Sequence, residues 1–180
     1  WNHWPVAQIP GDGRWVTTPD RPSHFNLTTF VQWNDYKYTE RTRTRIMLQG
    51  VTDKNGEELV PLAKSWLKAP KMNLTTTGFA GEGYDQSERA YIIKKTDPAN
   101  SGPCQFVLEA TDGSPLLNPA IIIKNWGNQL AKLSIDGKNM PEGKDLRQGV
   151  RKGPDGDELI LWLRLENDSH VQISWGPENW

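Results

Sequence analysis

The chain is poor in the residues that build several familiar kinds of site. It has one cysteine, Cys104, in 180 residues. An intrachain disulfide framework is therefore excluded, and a thiolate zinc cluster has no ligands to draw on. Three histidines, His3, His24 and His170, stand far apart, without a second ligand three to five residues away. Neither sign of charge dominates, with 21 Lys plus Arg against 22 Asp plus Glu. That balance argues against a chain whose main task is gripping nucleic acid or an anionic membrane. No apolar run approaches the ~18 residues of a membrane span. No Gly-x-Ser-x-Gly elbow and no phosphate-cradling glycine loop is present.

What is abundant is turn chemistry and indole: 16 Gly, 13 Pro and nine Trp. Residues 1–23, rich in Pro, Gly and Asp, read as an irregular lead-in. The chain opens on Trp1-Asn2-His3-Trp4-Pro5, without an initiator Met or a basic-apolar leader, as expected of a piece cut from a longer protein. Residues 24–180 read as one domain of short strands. Phe25, Leu27, Thr29, Val31 and Trp33 alternate with polar neighbours, the period of a half-buried strand. Thr44 to Leu48, Ala90 to Lys95, Gln105 to Ala110, Leu130 to Ile135 and Val171 to Trp175 follow the same logic. Ile92 and Ile93 fall on opposite faces. Ile121-Ile122-Ile123 is a β-branched run that predicts burial on both faces. Leu159, Leu161, Leu163 and Leu165 form one stripe, with Ile160, Trp162 and Arg164 opposite. Asp53-Lys54-Asn55-Gly56, Asp112-Gly113 and Asp136-Gly137 are turn signals. Pro61 keeps the stretch Glu58 to Leu67 out of a central strand. No long segment holds a 3.6-residue period. The expected fold is all-β, an antiparallel β-sandwich or jelly roll.

The aromatics and arginines carry the functional expectation. Trp33, Tyr36 and Tyr38 lie within six residues among Asn34, Asp35 and Lys37, a polar setting for rings. Sugar rings lay their C–H faces on aromatic faces while amides and acids bond the hydroxyls. Arg41, Arg43 and Arg45 share one face of a strand, ~6.7 Å apart, a ladder suited to carboxylate or sulfate groups. The same ladder also serves as a solvated guard of a sheet edge. Trp162 and Arg164 present a ring beside a guanidinium, either as a binding surface or as packing under the N-terminal segment. Trp126 either lines a loop site or caps the core. Cys104, beside Phe106 at a strand start, reads as a buried thiol. The candidate carbohydrate-binding residues are Trp33, Tyr36, Tyr38, Arg41, Arg43, Trp162 and Arg164. No metal or other cofactor is expected, although the acidic turns at Asp53–Glu58 and Asp155–Glu158 leave a structural calcium open. The acids Glu82, Asp85, Glu88, Glu109 and Glu166 stand as solvated surface charge unless two of them meet in space.

Three segments are similar to the C-terminal β-rich part of long secreted bacterial proteins linked to polysaccharide breakdown. They are Trp4-Pro5-Val6-Ala7-Gln8-Ile9-Pro10, Leu59-Val60-Pro61-Leu62-Ala63-Lys64-Ser65-Trp66, and Asn118 to Gly127 around Ile121-Ile122-Ile123. The resemblance implies a secreted or cell-envelope location and a larger parent protein; the Arg41, Arg43 and Arg45 ladder beside Tyr36 and Tyr38 points to a polysaccharide or oligosaccharide partner, an acidic one. The leading expectation is a non-catalytic carbohydrate-binding or accessory module. The enzyme alternative is a polysaccharide lyase or glycoside hydrolase, or a fragment of one. A lyase would use His24 or Tyr36 as base and Arg43 to neutralise a uronate. A third reading is a structural domain that supports a catalytic partner.

Overall fold

A computed structural model describes residues 59–97, 99–100 and 102–177 with their side chains, and the backbones of four strands before them. The chain forms two compact units, Trp1–Lys64 and Ser65–Trp180. In the first, strands β1 (Val6–Gln8) and β2 (Trp15–Thr17) pair antiparallel, within the segment read as a lead-in. Strands β3 (Thr28–Asn34) and β4 (Arg43–Gln49) form a second antiparallel pair. Helix α1 (Val60–Leu67) carries the chain across the boundary between the units. The sequence pattern, which holds no long 3.6-residue period, predicts no helix here. Pro61 instead stands in the first helical turn, where its missing N–H costs no intrahelical bond and its fixed φ suits the helix.

The second unit is built from two five-stranded sheets. One has the order β13 (Leu146–Gly153), β14 (Gly156–Leu163), β10 (Ala120–Lys124), β7 (Ala90–Lys95), β6 (Phe79–Asp85). The other runs β12 (Lys138–Met140), β11 (Ala131–Ile135), β16 (Val171–Pro177), β8 (Cys104–Glu109), β5 (Lys71–Leu74). A short antiparallel pair joins β9 (Leu116–Leu117) to β15 (Glu166–Asn167). The all-β expectation holds, with one correction: β7 and β10 pair parallel, Ile92 against Ile122. A parallel neighbour needs a crossover. Here the chain between the two strands passes through β8, which belongs to the other sheet.

Both sheets send their alternating apolar residues into one cluster. Tyr91, Ile93, Ile121, Ile123, Leu159, Leu161 and Leu163 come from the first sheet, and Cys104, Phe106, Leu108, Leu133, Val171, Ile173 and Trp175 from the second. Trp175 is fully buried, with Phe79 and Phe106 edge-on to its ring at 6.0 and 5.5 Å. The Leu stripe and the Ile run fall where the sequence puts them. Ile121 and Ile123 join this core, and Ile122 packs with Ala90 and Ile92 on the other face. Trp126 caps the core, buried, with its indole N–H donated to the Gln129 carbonyl at 3.1 Å. Asp136 and Gly137, at φ +47° and +76°, make the two-residue turn between β11 and β12. Positive φ at both central positions is the mirror-image turn that Asp-Gly favours.

Candidate functional site

The outward face of the β13-β14-β10-β7-β6 sheet carries the most developed surface feature. Pairing aligns its side chains in rows. Arg147, Trp162, Ala120, Ala90 and Asp85 stand opposite one another across the five strands. The next row is Gly149, Ile160, Ile122, Ile92 and Gly83. In the third, Arg151 faces Glu158 and Lys124 faces Lys94. A small apolar strip of Ala90, Ile92, Ala120, Ile122 and Ile160 therefore lies between an indole–guanidinium pair and a band of charges.

At the Ile92–Ile122 end of this strip opens a cleft of about 550 Å³, within the range of small-ligand sites. Ile92 and Ile122 contribute its apolar part, and Glu82, Asp85, Glu88, Lys124, Arg151 and Glu158 its polar walls. The walls are cross-braced. Lys124 Nζ donates to Glu82 Oε2 at 2.7 Å. Arg151 Nε donates to Glu158 Oε2 at 2.7 Å, and its two Nη groups reach Glu88 at 3.3 Å. Hydrogen bonding to Glu82 holds the Lys124 ammonium above the ordinary lysine range. Hydrogen bonds to Glu158 and then Glu88 do the same for Arg151. Asp85 Oδ1 accepts the backbone N–H of Ser87 at 2.7 Å and of Glu88 at 3.0 Å. These bonds, that of Glu88 first, pull its carboxyl below the usual carboxylate range. Tyr84 also lines the cleft; its hydroxyl is shielded from water, lacks a hydrogen-bond partner, and is pushed up to about 12 by burial.

Two sheet features make room for this site. Glu82 sits at an irregularity between Gly81 and Gly83, which turns its side chain out of the regular alternation. Gly153 leaves space for Glu158, because a Cβ there would meet Glu158 Cδ and Oε1 at 2.6 Å.

The sequence-derived candidates divide. Trp162 lies on this face, half-buried, and the guanidinium of Arg147 stands 5.5 Å from its ring centroid. Arg164 lies beyond the end of β14 with its side chain exposed, and its backbone N–H donates to the Asp145 carbonyl at 2.8 Å. The guanidinium over the indole is thus Arg147, a cross-strand neighbour rather than a same-strand one. Trp33 and Arg43 lie in β3 and β4, paired with Thr44 and Asn34 respectively; their side chains, together with His24, Tyr36, Tyr38 and Arg41, lie outside the described residues. The acidic turn at Asp53–Glu58 does too. The turn at Asp155–Glu158 has its carboxylates matched with cations: Asp155 with Lys94 at 3.8 Å, Asp157 with Lys152 at 2.6 Å, and Glu158 with Arg151. Among the described residues, no group of three His, Cys, Asp or Glu side chains is arranged to hold a metal ion, and no helix is long and apolar enough to cross a membrane.

Sequence reasoning missed Arg147, Lys124 and Arg151, and left Glu82, Asp85 and Glu88 as scattered surface charge. The turn Pro154-Asp155 held the missing signal. Closing a hairpin there sets Arg151 opposite Glu158 and Arg147 opposite Trp162. No family model, curated protein or solved structure matches the chain.

Proposed function

We propose that the chain is a non-catalytic carbohydrate-binding module whose second unit is a β-sandwich, part of a secreted polysaccharide-degrading protein. The observation that carries the reading is the open cleft of about 550 Å³ on one sheet face, with apolar side chains below and hydrogen-bonding groups around it. A pyranose needs that combination, an apolar surface for its C–H face and fixed donors and acceptors for its hydroxyls. Trp162 lies on the same sheet face outside that lining, with the Arg147 guanidinium 5.5 Å from its ring centroid, so a further sugar ring there would meet an indole beside a guanidinium. The state of the carboxylates favours binding over hydrolysis. A glycoside hydrolase needs one acid that keeps a proton to give to the leaving oxygen. In this cleft Glu82, Glu88 and Glu158 are committed to Lys124 and Arg151, and backbone N–H groups pull the Asp85 carboxyl below the usual carboxylate range. The secreted parent rests on the resemblance of the Trp4–Pro10, Leu59–Trp66 and Asn118–Gly127 segments.

Calorimetric titration of the chain with a panel of oligosaccharides tests the proposal. The expected result is binding in the micromolar to millimolar range, weakened about tenfold or more by Trp162→Ala. Loss of a stacked ring is worth about 1–2 kcal/mol. Silence across neutral, acidic and aminated glycans at millimolar repeat units would remove the reading. Accumulation of cleaved or unsaturated product would replace it with the enzyme alternative.

A further inference from the structure

We propose that the ion pair between Glu88 and Arg151 is a gate over the apolar floor of the cleft, which a sugar must open before it can stack there; the sugar as occupant rests on the carbohydrate reading above. Ala90, Ile92 and Ile122 lie on the outward face of their sheet, but they are only 1%, 6% and 3% exposed. As the side chains stand, this floor offers a pyranose almost no surface. The ion pair lies across it. Arg151 belongs to β13, opposite Glu158 and one row beyond Ile160, Ile122 and Ile92. Glu88 belongs to the turn between β6 and β7, two residues before Ala90, at the other end of the strip. Strands β14 and β10 separate β13 from β7. Both Nη groups of Arg151 nevertheless come within 3.3 Å of the Glu88 carboxylate, and both residues share the cleft lining with Ile92 and Ile122. The two sides of the guanidinium are held differently. Nε meets Glu158, whose side chain is 6% exposed, at 2.7 Å, whereas the Nη groups meet Glu88, 45% exposed, at the longer distance. The inner bond anchors Arg151 to its sheet. The outer pair is long and solvated, the kind that contributes little and parts readily. Asp85 holds the turn backbone through the N–H groups of Ser87 and Glu88, so opening requires only the Glu88 side chain and the free end of Arg151 to swing apart.

The experiment compares the full chain with its Glu88→Gln variant in two measurements. The first uses no glycan: a neutral soluble nitroxide is added and the isoleucine methyl signals are followed by NMR. The Ile92 and Ile122 methyls should be relaxed more strongly in the variant than in the wild type, with the core methyls of Ile121 and Ile123 unchanged. The second titrates glucose, mannose and xylose hexamers into both proteins by calorimetry. These ligands are neutral, so removing a charge does not itself attract or repel them. The variant should bind about twofold to fivefold more tightly, the factor by which an exposed ion pair holds the closed state. High salt should bring the wild type toward the affinity of the variant. Methyls equally shielded in both proteins, or equal affinity for a hexamer that binds, would overturn the gate and leave the carbohydrate reading standing. Methyls that open while no hexamer binds either protein would remove the sugar as occupant, and the proposal would then fail through its ligand rather than through the ion pair.

Discussion

Gly153→Ala isolates the contact on which one wall of the cleft depends. The new methyl would sit 2.6 Å from Glu158 Cδ and Oε1 and 2.7 Å from Cγ, so the carboxylate must leave. Glu158 is 4% exposed and bonds Arg151 at 2.7 Å. The Arg151 side chain is 41% exposed, so parting the pair costs about 2 kcal/mol, less than for a fully buried pair. Replacing Gly by Ala also restricts the unfolded chain, which returns about 0.7 kcal/mol. The net expectation is a loss of about 1.3 kcal/mol, or about 5 °C in Tm for a unit of this size. The informative assay is a double-mutant cycle by thermal or urea unfolding. In a Glu158→Ala background the obstruction is gone, and Gly153→Ala should stabilise by about 0.7 kcal/mol. An equal loss in both backgrounds would refute the reasoning, since the cost would then lie in the backbone.

Four further outcomes are expected. Tyr91 donates its hydroxyl to the Pro70 carbonyl at 2.9 Å, whereas the Tyr84 hydroxyl has no partner; Tyr91→Phe should lose about 1–2 kcal/mol in urea unfolding and Tyr84→Phe should lose nothing or gain slightly. Leu161→Ala, in the fully buried Leu stripe, should cost about 2–5 kcal/mol, measured as a drop in the urea midpoint. The Cys104 thiol is fully buried and pushed up to about 12 by that burial, so a thiol reagent at pH 8 should react only on unfolding. The same sign governs alkaline stability. Cys104 and Tyr84 hold their protons longer when folded, so the unfolded state ionises first and stability should fall as pH rises above the ordinary thiol and phenol values. A flat urea midpoint from pH 8 to pH 11 would contradict this.

The parts of the fold legible in the sequence are those that bury one clean face. Leu159, Leu161 and Leu163 alternate because every second position meets the core, and Ile121-Ile122-Ile123 runs unbroken because Ile121 and Ile123 pack into the core while Ile122 packs with Ala90 and Ile92 on the other face. β6 and β13 escaped notice for the opposite reason. Phe79–Asp85 carries Gly81 and Gly83 at an irregularity, and Leu146–Gly153 carries Gly149 and three basic residues on a largely open strand. Neither has an alternation strong enough to read without its partner. Those two strands border the sheet that bears the cleft, so the site was hidden with them. Trp162 was visible as an outward ring, but its companion depends on register, which a single strand does not encode.

The parallel pairing of β7 with β10 has a consequence for how the molecule assembles. Ile92 and Ile122 meet only after the intervening chain has gone out to the opposite sheet and come back, a long closure that carries a large entropic barrier. The β13–β14 ribbon, closed by Pro154-Asp155, needs no such excursion and is ready early as a template. Amide exchange should therefore find the most slowly opening hydrogen bonds in the middle of the first sheet, where late-arriving strands lock the ribbon in place.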